Sequence, residues 1–103
     1  MSTFKVSLRQ KGPGAHFIHD REDGSLVVEW YDFGENVPYE SANMLILTAA
    51  EQALVGEALG LSPTTNALEL ASALADQYSS YWDIRRFFDD RRLSYTHKVD
   101  FQP

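Results

Sequence analysis

Residues 15–33 hold the feature that most restricts how this chain can fold, because two strand-like runs flank Asp23-Gly24. The runs 15–21 and 26–33 contain aromatic and β-branched residues, and Asp-Gly is a preferred centre for a type I′ turn because both residues tolerate a positive φ. The pattern therefore predicts a β-hairpin. With a two-residue loop, Glu22 would pair with Ser25.

This register determines which side chains of the hairpin face the core. The predicted buried face pairs Phe17, His19 and Arg21 with Trp30, Val28 and Leu26. The opposite face pairs His16, Ile18 and Asp20 with Tyr31, Glu29 and Val27. A three-residue loop would instead pair Phe17 with Glu29 on the predicted buried side, so the sequence favours the shorter loop.

The segments outside the hairpin predict further strands and three helices. Residues 4–8 and 93–101 alternate apolar with polar side chains, which is typical of half-buried strands. Residues 43–47 are apolar at every position except Asn43, so no alternation distinguishes one face from the other. This pattern fits either a strand covered on both faces or the start of a buried helix. Thr48 and Glu51 form a capping-box pattern that predicts a helix over 49–59, and this favours a strand before it. Residues 34–42 are predicted to form a loop.

Two more helices follow in the sequence. Thr64 or Thr65 is predicted to cap the second helix, and the third helix is predicted to start near Ser79 or Ser80. The element order β-β-β-(β)-α-α-α-β predicts an α+β fold, with an antiparallel or mixed sheet of four to five strands and two to three helices on one face. The length of 103 residues predicts a single domain spanning 1-103.

Charge is unevenly distributed along the chain. Residues 22–84 contain eleven acidic side chains and no Lys, Arg or His, whereas residues 1–21 and 85–103 each carry a net positive charge. The whole chain has a formal net charge of −6. Such an acidic stretch repels phosphate, so direct binding of nucleic acid is disfavoured. A protein partner with a basic surface is favoured instead.

The remaining composition bears on the compartment. The chain has no cysteine, which excludes disulfides and sulfur-ligated zinc and is compatible with a reducing compartment. No apolar run reaches the roughly 20 residues of a membrane-spanning helix, and residues 1–5 lack the apolar region of a signal peptide. We therefore expect a cytoplasmic protein with no membrane association.

One face of the sheet is expected to lie away from the helices and to meet solvent or a partner. On the predicted register, that face of the hairpin and its following loop mix aromatic, aliphatic and acidic side chains, a composition that suits a protein interface as well as a solvated face. The candidate interface residues are His16, Ile18, Asp20, Val27, Glu29, Tyr31, Phe33 and Glu35.

The three histidines are the main candidates for chemistry. His16 and His19 are three residues apart on a strand, so their side chains point to opposite faces and cannot share a metal ion unless the strand bulges there. His16 and Asp20 share a face and could bind an ion only weakly, together with a third group. His19 and His97 both fall on predicted covered faces, where they could meet and act with a carboxylate as acid and base. The sequence shows no catalytic motif, and no cofactor or metal site is predicted.

These observations rank three functions. The first is a small, non-enzymatic protein-binding module, such as an inhibitor or immunity-type protein, that engages a basic partner surface. The second is a small enzyme that uses His19 or His97 with a carboxylate. The third is a structural homodimer, formed through the uncovered sheet face or by basic chain ends meeting the acidic middle of a second copy.

Overall fold

The computed structural model describes residues 3–10, 14–34 and 39–102. In these segments the chain forms five strands and three helices, in the order β-β-β-β-α-α-α-β. They are β1 (Lys5–Ser7), β2 (Ala15–Asp20), β3 (Leu26–Asp32), β4 (Glu40–Leu47), α1 (Ala49–Ala58), α2 (Ala67–Gln77), α3 (Tyr81–Asp90) and β5 (Thr96–Gln102). The predicted α+β fold is confirmed.

The sheet has the strand order β1-β2-β3-β4-β5, and every neighbouring pair is antiparallel. Residues 43–47 belong to a strand, as predicted. That strand begins earlier than expected, at Glu40, because Ser41 and Ala42 pair with Asp32 and Tyr31 of β3. The predicted loop over 34–42 is therefore too long at its end. Its residues 35–38 lie outside the described residues.

Side chains at the helix starts explain where the helices begin. At α1, the Thr48 hydroxyl accepts from the Glu51 amide at 3.2 Å, while the Glu51 carboxylate accepts from the Thr48 amide at 2.9 Å. This is the predicted capping box. The α2 cap is Asn66 rather than Thr64 or Thr65, and its Oδ1 accepts from the Glu69 amide at 2.8 Å. Ser80 caps α3 by accepting from the Asp83 amide at 3.1 Å.

The predicted register between β2 and β3 is wrong by one residue. Asp20 pairs with Leu26 and Ile18 pairs with Val28. The amide of Gly24 donates to the Arg21 carbonyl at 3.0 Å, and the Arg21 amide donates to the Ser25 carbonyl at 2.9 Å. Residues 22–24 thus form a three-residue loop in which Gly24 alone has a positive φ, of 86°.

The shift of register exchanges the two faces of β2. Ile18 is fully buried in the core, beside Leu26 and Val28, whereas Phe17 and His19 face the other way. Trp30, Val28 and Leu26 pack in the core as predicted. The helices cover this face of the sheet through side chains of all three helices, namely Val55, Leu70, Ala71, Leu74, Tyr81, Ile84, Phe87 and Phe88.

The opposite surface of the sheet, which we call the open face, carries Phe17, His19, Val27, Glu29, Tyr31, Met44 and Ile46.

None of the helices among the described residues is long and apolar enough to cross a bilayer.

Candidate functional site

The corrected register moves three of the predicted interface residues to the helix-covered face. His16 and Ile18 are buried there, and Asp20 lies at the end of the same row. The physical reason is the three-residue loop, which turns every side chain of β2 to the opposite face from that expected with a two-residue loop. These three residues do not form a surface with Tyr31.

His16 instead joins the sheet to a helix. Its Nδ1 accepts a hydrogen bond from the Tyr81 amide at 3.0 Å, which satisfies one of the unpaired amides at the start of α3. The imidazole also contacts the rings of Trp82 and Trp30, with centroid distances of 5.0 and 6.3 Å. Burial lowers the pKa of His16, since a charged ring loses hydration there.

Asp20 also has a structural role. Its carboxylate accepts from the amides of Thr3 and Phe4 at 2.7 and 3.1 Å and from the Thr3 hydroxyl. The Thr3 hydroxyl makes the largest contribution to lowering the pKa of Asp20. These bonds fasten the segment that leads into β1 to the end of β2.

Three predicted interface residues do lie on the open face, namely Val27, Glu29 and Tyr31. Val27 is 0% exposed and Glu29 is 9% exposed, so their neighbours on the sheet already cover them. The Tyr31 hydroxyl donates to the Glu40 carboxylate, and Phe33, just beyond β3, is 53% exposed. Glu35 lies outside the described residues.

The open face also holds a histidine and carboxylate pair. His19 Nε2 and Glu29 Oε1 are 3.0 Å apart. His97 pairs with Leu45 in the sheet, so its side chain belongs to the helix-covered side, and it is exposed. The expectation that His19 and His97 meet on one face is therefore wrong, because the register places them on opposite sides of the sheet.

Among the described residues, no group of three or more His, Cys, Asp or Glu side chains could hold a metal ion.

The helical side of the molecule contains a concave surface that sequence reasoning missed. A groove of about 620 Å³ runs between α1 and the start of α2. Ala49, Ala53 and Gly56 of α1 form one wall, and Ala67 and Leu70 of α2 form another. The connecting residues 60–63 also line the groove, with Leu61 and Pro63 among them.

Several polar side chains of this groove already have partners inside the protein. Gln52 donates to the carbonyls of Gly24 and Leu47 at 2.9 and 3.2 Å. The Asn66 oxygen caps α2, and Ser62 bonds with Thr64 at 2.9 Å. Glu57 is the one titratable residue among the described groove residues, and no ion pair joins it to another described side chain. The groove thus offers a ligand mainly apolar surface and one carboxylate.

Gly56 stands in this wall without a packing reason inside the chain. A Cβ placed on it would meet no atom within 4 Å. Glycine within a helix is less stable than alanine by about 1 kcal/mol, so the fold alone would favour alanine at this position.

The outward surfaces of α1 and α2 combine apolar and acidic side chains. Leu54 and Leu68 are 50% and 47% exposed. The two helices carry the carboxylates Glu51, Glu57, Glu69 and Asp76 and no Lys, Arg or His. Of these, Glu57, Glu69 and Asp76 are exposed and form no ion pair with the described residues. Together α1 and α2 carry four of the eleven acidic residues of the stretch 22–84.

The sequence contained a signal for this surface. Residues 49–58 are apolar at most positions around the helix, yet Val55 is their only buried side chain. A helix with apolar residues all round is normally enclosed on all sides, so its exposure here marks a surface available for contact.

No family model, curated protein or solved structure matches this chain.

Proposed function

We propose that this protein is a small, non-enzymatic binding module that engages a basic surface of a protein partner, as an inhibitor or immunity-type protein would. The observation that carries the proposal is the acidic surface of α1 and α2. Glu57, Glu69 and Asp76 are exposed on these two helices, and neither helix has a cation to compensate them, whereas the carboxylate of Glu51 caps α1.

Uncompensated surface charge acts mainly on the rate of association. At physiological ionic strength a charge is screened over about 8 Å, but several like charges on one surface still attract an oppositely charged partner and orient it during encounter. They also disfavour partners of the same sign. A net charge of −6 on the whole chain acts in the same direction.

Exposed apolar side chains on the same helices supply the second requirement of a protein interface. Charge steers encounter, whereas burial of apolar area contributes much of the stability of a complex. Leu54 and Leu68 expose about half of their surface, and they lie respectively three residues before Glu57 and one residue before Glu69 in the chain. The binding surface is therefore assigned to the helical side, rather than to the hairpin residues favoured by the sequence.

The enzymatic alternative has one supporting observation, the His19 and Glu29 pair. An acid and base site also needs a concave surface that places a substrate against the pair. The groove between α1 and α2 lies on the other side of the sheet from His19. We therefore prefer the binding module.

Neutralising the acidic side chains of α2 should slow association with the natural partner. The partner is first isolated from the source cell on the immobilised protein, and its association rate is then measured at about 20 and about 150 mM salt. We expect the wild-type rate to fall steeply with salt, and the double variant Glu69→Gln, Asp76→Asn to associate about three- to tenfold more slowly at low salt.

The matched control is the double variant Asp89→Asn, Asp90→Asn, which removes two exposed carboxylates from the end of α3, next to Arg91 and Arg92. Its association rate should fall much less than that of the Glu69 and Asp76 variant, since only the net charge of the chain changes and not the charge of α1 and α2. An association rate that does not depend on salt, or an equal loss in both double variants, would overturn the proposed function.

A further inference from the structure

We propose that the groove between α1 and α2 receives an amphipathic helix of the partner, whose apolar side enters the groove and whose lysine or arginine residues face Glu57. This inference rests on the proposed function and names the part of the partner that is recognised. It follows from the chemistry of the groove, from Gly56 and from the dimensions of the groove.

The chemistry of the groove selects an apolar segment with a positive charge. Gln52 and Asn66 already make hydrogen bonds within the protein, so the polar lining offers little to a polar ligand. Leu61, Pro63 and Ala67 supply apolar contacts. Glu57 supplies an exposed carboxylate that forms no ion pair with the described residues, and a lysine or arginine of the ligand would complement it.

Gly56 indicates that a backbone approaches this wall closely. The space beside it is open, so no contact within the described chain requires the absence of a side chain there. Helices pack at axis distances of roughly 8 to 10 Å, and the smallest side chains at the contact permit the shortest distances. A glycine that the protein's own packing does not explain is accounted for by a partner helix that packs against it.

The size of the groove fits a short helical segment. With its side chains an α-helix is about 10–12 Å across and rises about 5.4 Å per turn, so two turns occupy about 850–1,200 Å³ and their apolar half about 400–600 Å³. The groove holds about 620 Å³. Two turns place apolar side chains at positions i, i+3, i+4 and i+7 against the protein, which is the usual way a helix binds a groove.

A designed peptide tests this inference without the natural partner. The probe is a synthetic peptide of roughly 16 residues, built of Leu, Ala and Lys with the leucines at helical spacing, a length at which an isolated helix becomes feasible. The control peptide has the same composition in an order that gives no apolar face. Both are titrated into the isotopically labelled protein, and amide chemical shifts are followed by NMR.

We expect the amphipathic peptide to shift the amides of α1, of residues 60–66 and of the start of α2. Gly56→Leu fills the groove and should weaken binding by about tenfold or more. Ala50→Leu adds the same side chain to an exposed position of α1 outside the groove and should bind like the wild type. Both variants should melt no lower than the wild type, because leucine is a good helix former.

Four results would overturn the inference. The amphipathic peptide could shift amides elsewhere, such as on the open face, or Gly56→Leu could bind it as well as the wild type does. Equal binding of both peptides would show attraction by charge alone, which contradicts the groove and leaves the proposed function standing. Failure of both peptides to bind at about 20 mM salt would contradict binding of a helix in the groove. The proposed function is then tested independently by the association kinetics of the natural partner.

Discussion

Replacing Ile18 with alanine is expected to lower the free energy of unfolding by about 3 kcal/mol, a large share of the 5–15 kcal/mol typical of a small domain. Ile18 is fully buried in the core that the sheet forms with the helices. Truncation removes apolar contacts and leaves a cavity that the surrounding strands cannot fill. Urea denaturation followed by circular dichroism measures the change.

Phe17→Ala is the matched control, because Phe17 is the larger side chain and lies next to Ile18 in the sequence. On the open face the centre of the Phe17 ring lies 4.2 Å from the Lys5 Nζ and 5.5 Å from the centre of the His19 ring. The Phe17 side chain is half-buried. We expect its truncation to cost about 1 kcal/mol. A two-residue turn would bury Phe17 rather than Ile18 and so predicts the reverse ranking of the two losses of stability. A larger loss of stability for Phe17→Ala than for Ile18→Ala would therefore contradict the pairing of Ile18 with Val28.

Replacing His16 with phenylalanine should destabilise the protein at pH 8 by about 1–3 kcal/mol, although phenylalanine is more apolar and the site is buried. The reason is that the Tyr81 amide, which donates to His16 Nδ1 at 3.0 Å, would lose its acceptor at the start of α3. Urea denaturation at pH 8 measures the loss. A variant as stable as the wild type would show that this hydrogen bond has no weight in the fold.

The same histidine should make stability depend on pH. Burial lowers the pKa of His16 in the folded protein below its value of about 6.5 in the unfolded chain. At a pH between these two pKa values, His16 binds a proton in the unfolded chain but not in the folded protein. This contribution is therefore complete above pH of about 6.5 and is lost as the pH falls through the lowered pKa.

His16→Asn separates this effect from the other titrating groups. Asparagine keeps a side-chain oxygen acceptor but does not titrate. The free energy of unfolding of His16→Asn should therefore fall less between pH 7.5 and 5.5 than that of the wild type. This pH range extends about one unit to either side of the pKa of histidine in the unfolded chain. His97→Asn, at an exposed position of β5, should leave the wild-type dependence unchanged. Parallel curves for the wild type and His16→Asn would contradict the role of His16.

The order of strands and helices was predictable because each element has a local cause. Thr48 and Glu51 cap α1 whatever follows them, and alternation in residues 4–8 places Val6 and Leu8 on the core side. The sequence predicted an antiparallel or mixed sheet but not the order of its strands, in which β4 and β5 are neighbours although all three helices lie between them in the chain.

The register between β2 and β3 was not predictable because Asp23-Gly24 is compatible with two turns. In the structure the Asp23 carboxylate accepts from the amide and the hydroxyl of Ser25 at 2.9 and 2.5 Å. These bonds stabilise the three-residue loop. The difference in free energy between the two loops is smaller than the free energy of burying the core side chains that the loop positions. One residue of shift was enough to move His16, Ile18 and Asp20 out of the predicted interface.

The candidate binding surface escaped prediction for a different reason. Its charge was visible as the stretch without cations, but its shape depends on the packing of α1 against the start of α2, which no local pattern specifies. Gly56 and Leu54 acquire meaning only when their exposure is known.

The most direct test of the central claim is hydrogen exchange of the protein alone and in complex with its isolated natural partner. If the helical side binds the partner, amide exchange in the exposed turns of α1 and α2 and in residues 60–66 should slow on binding, while β2 and β3 keep their exchange rates. Slowed exchange confined to β2, β3 and the loop between them, with α1 and α2 unchanged, would contradict the account.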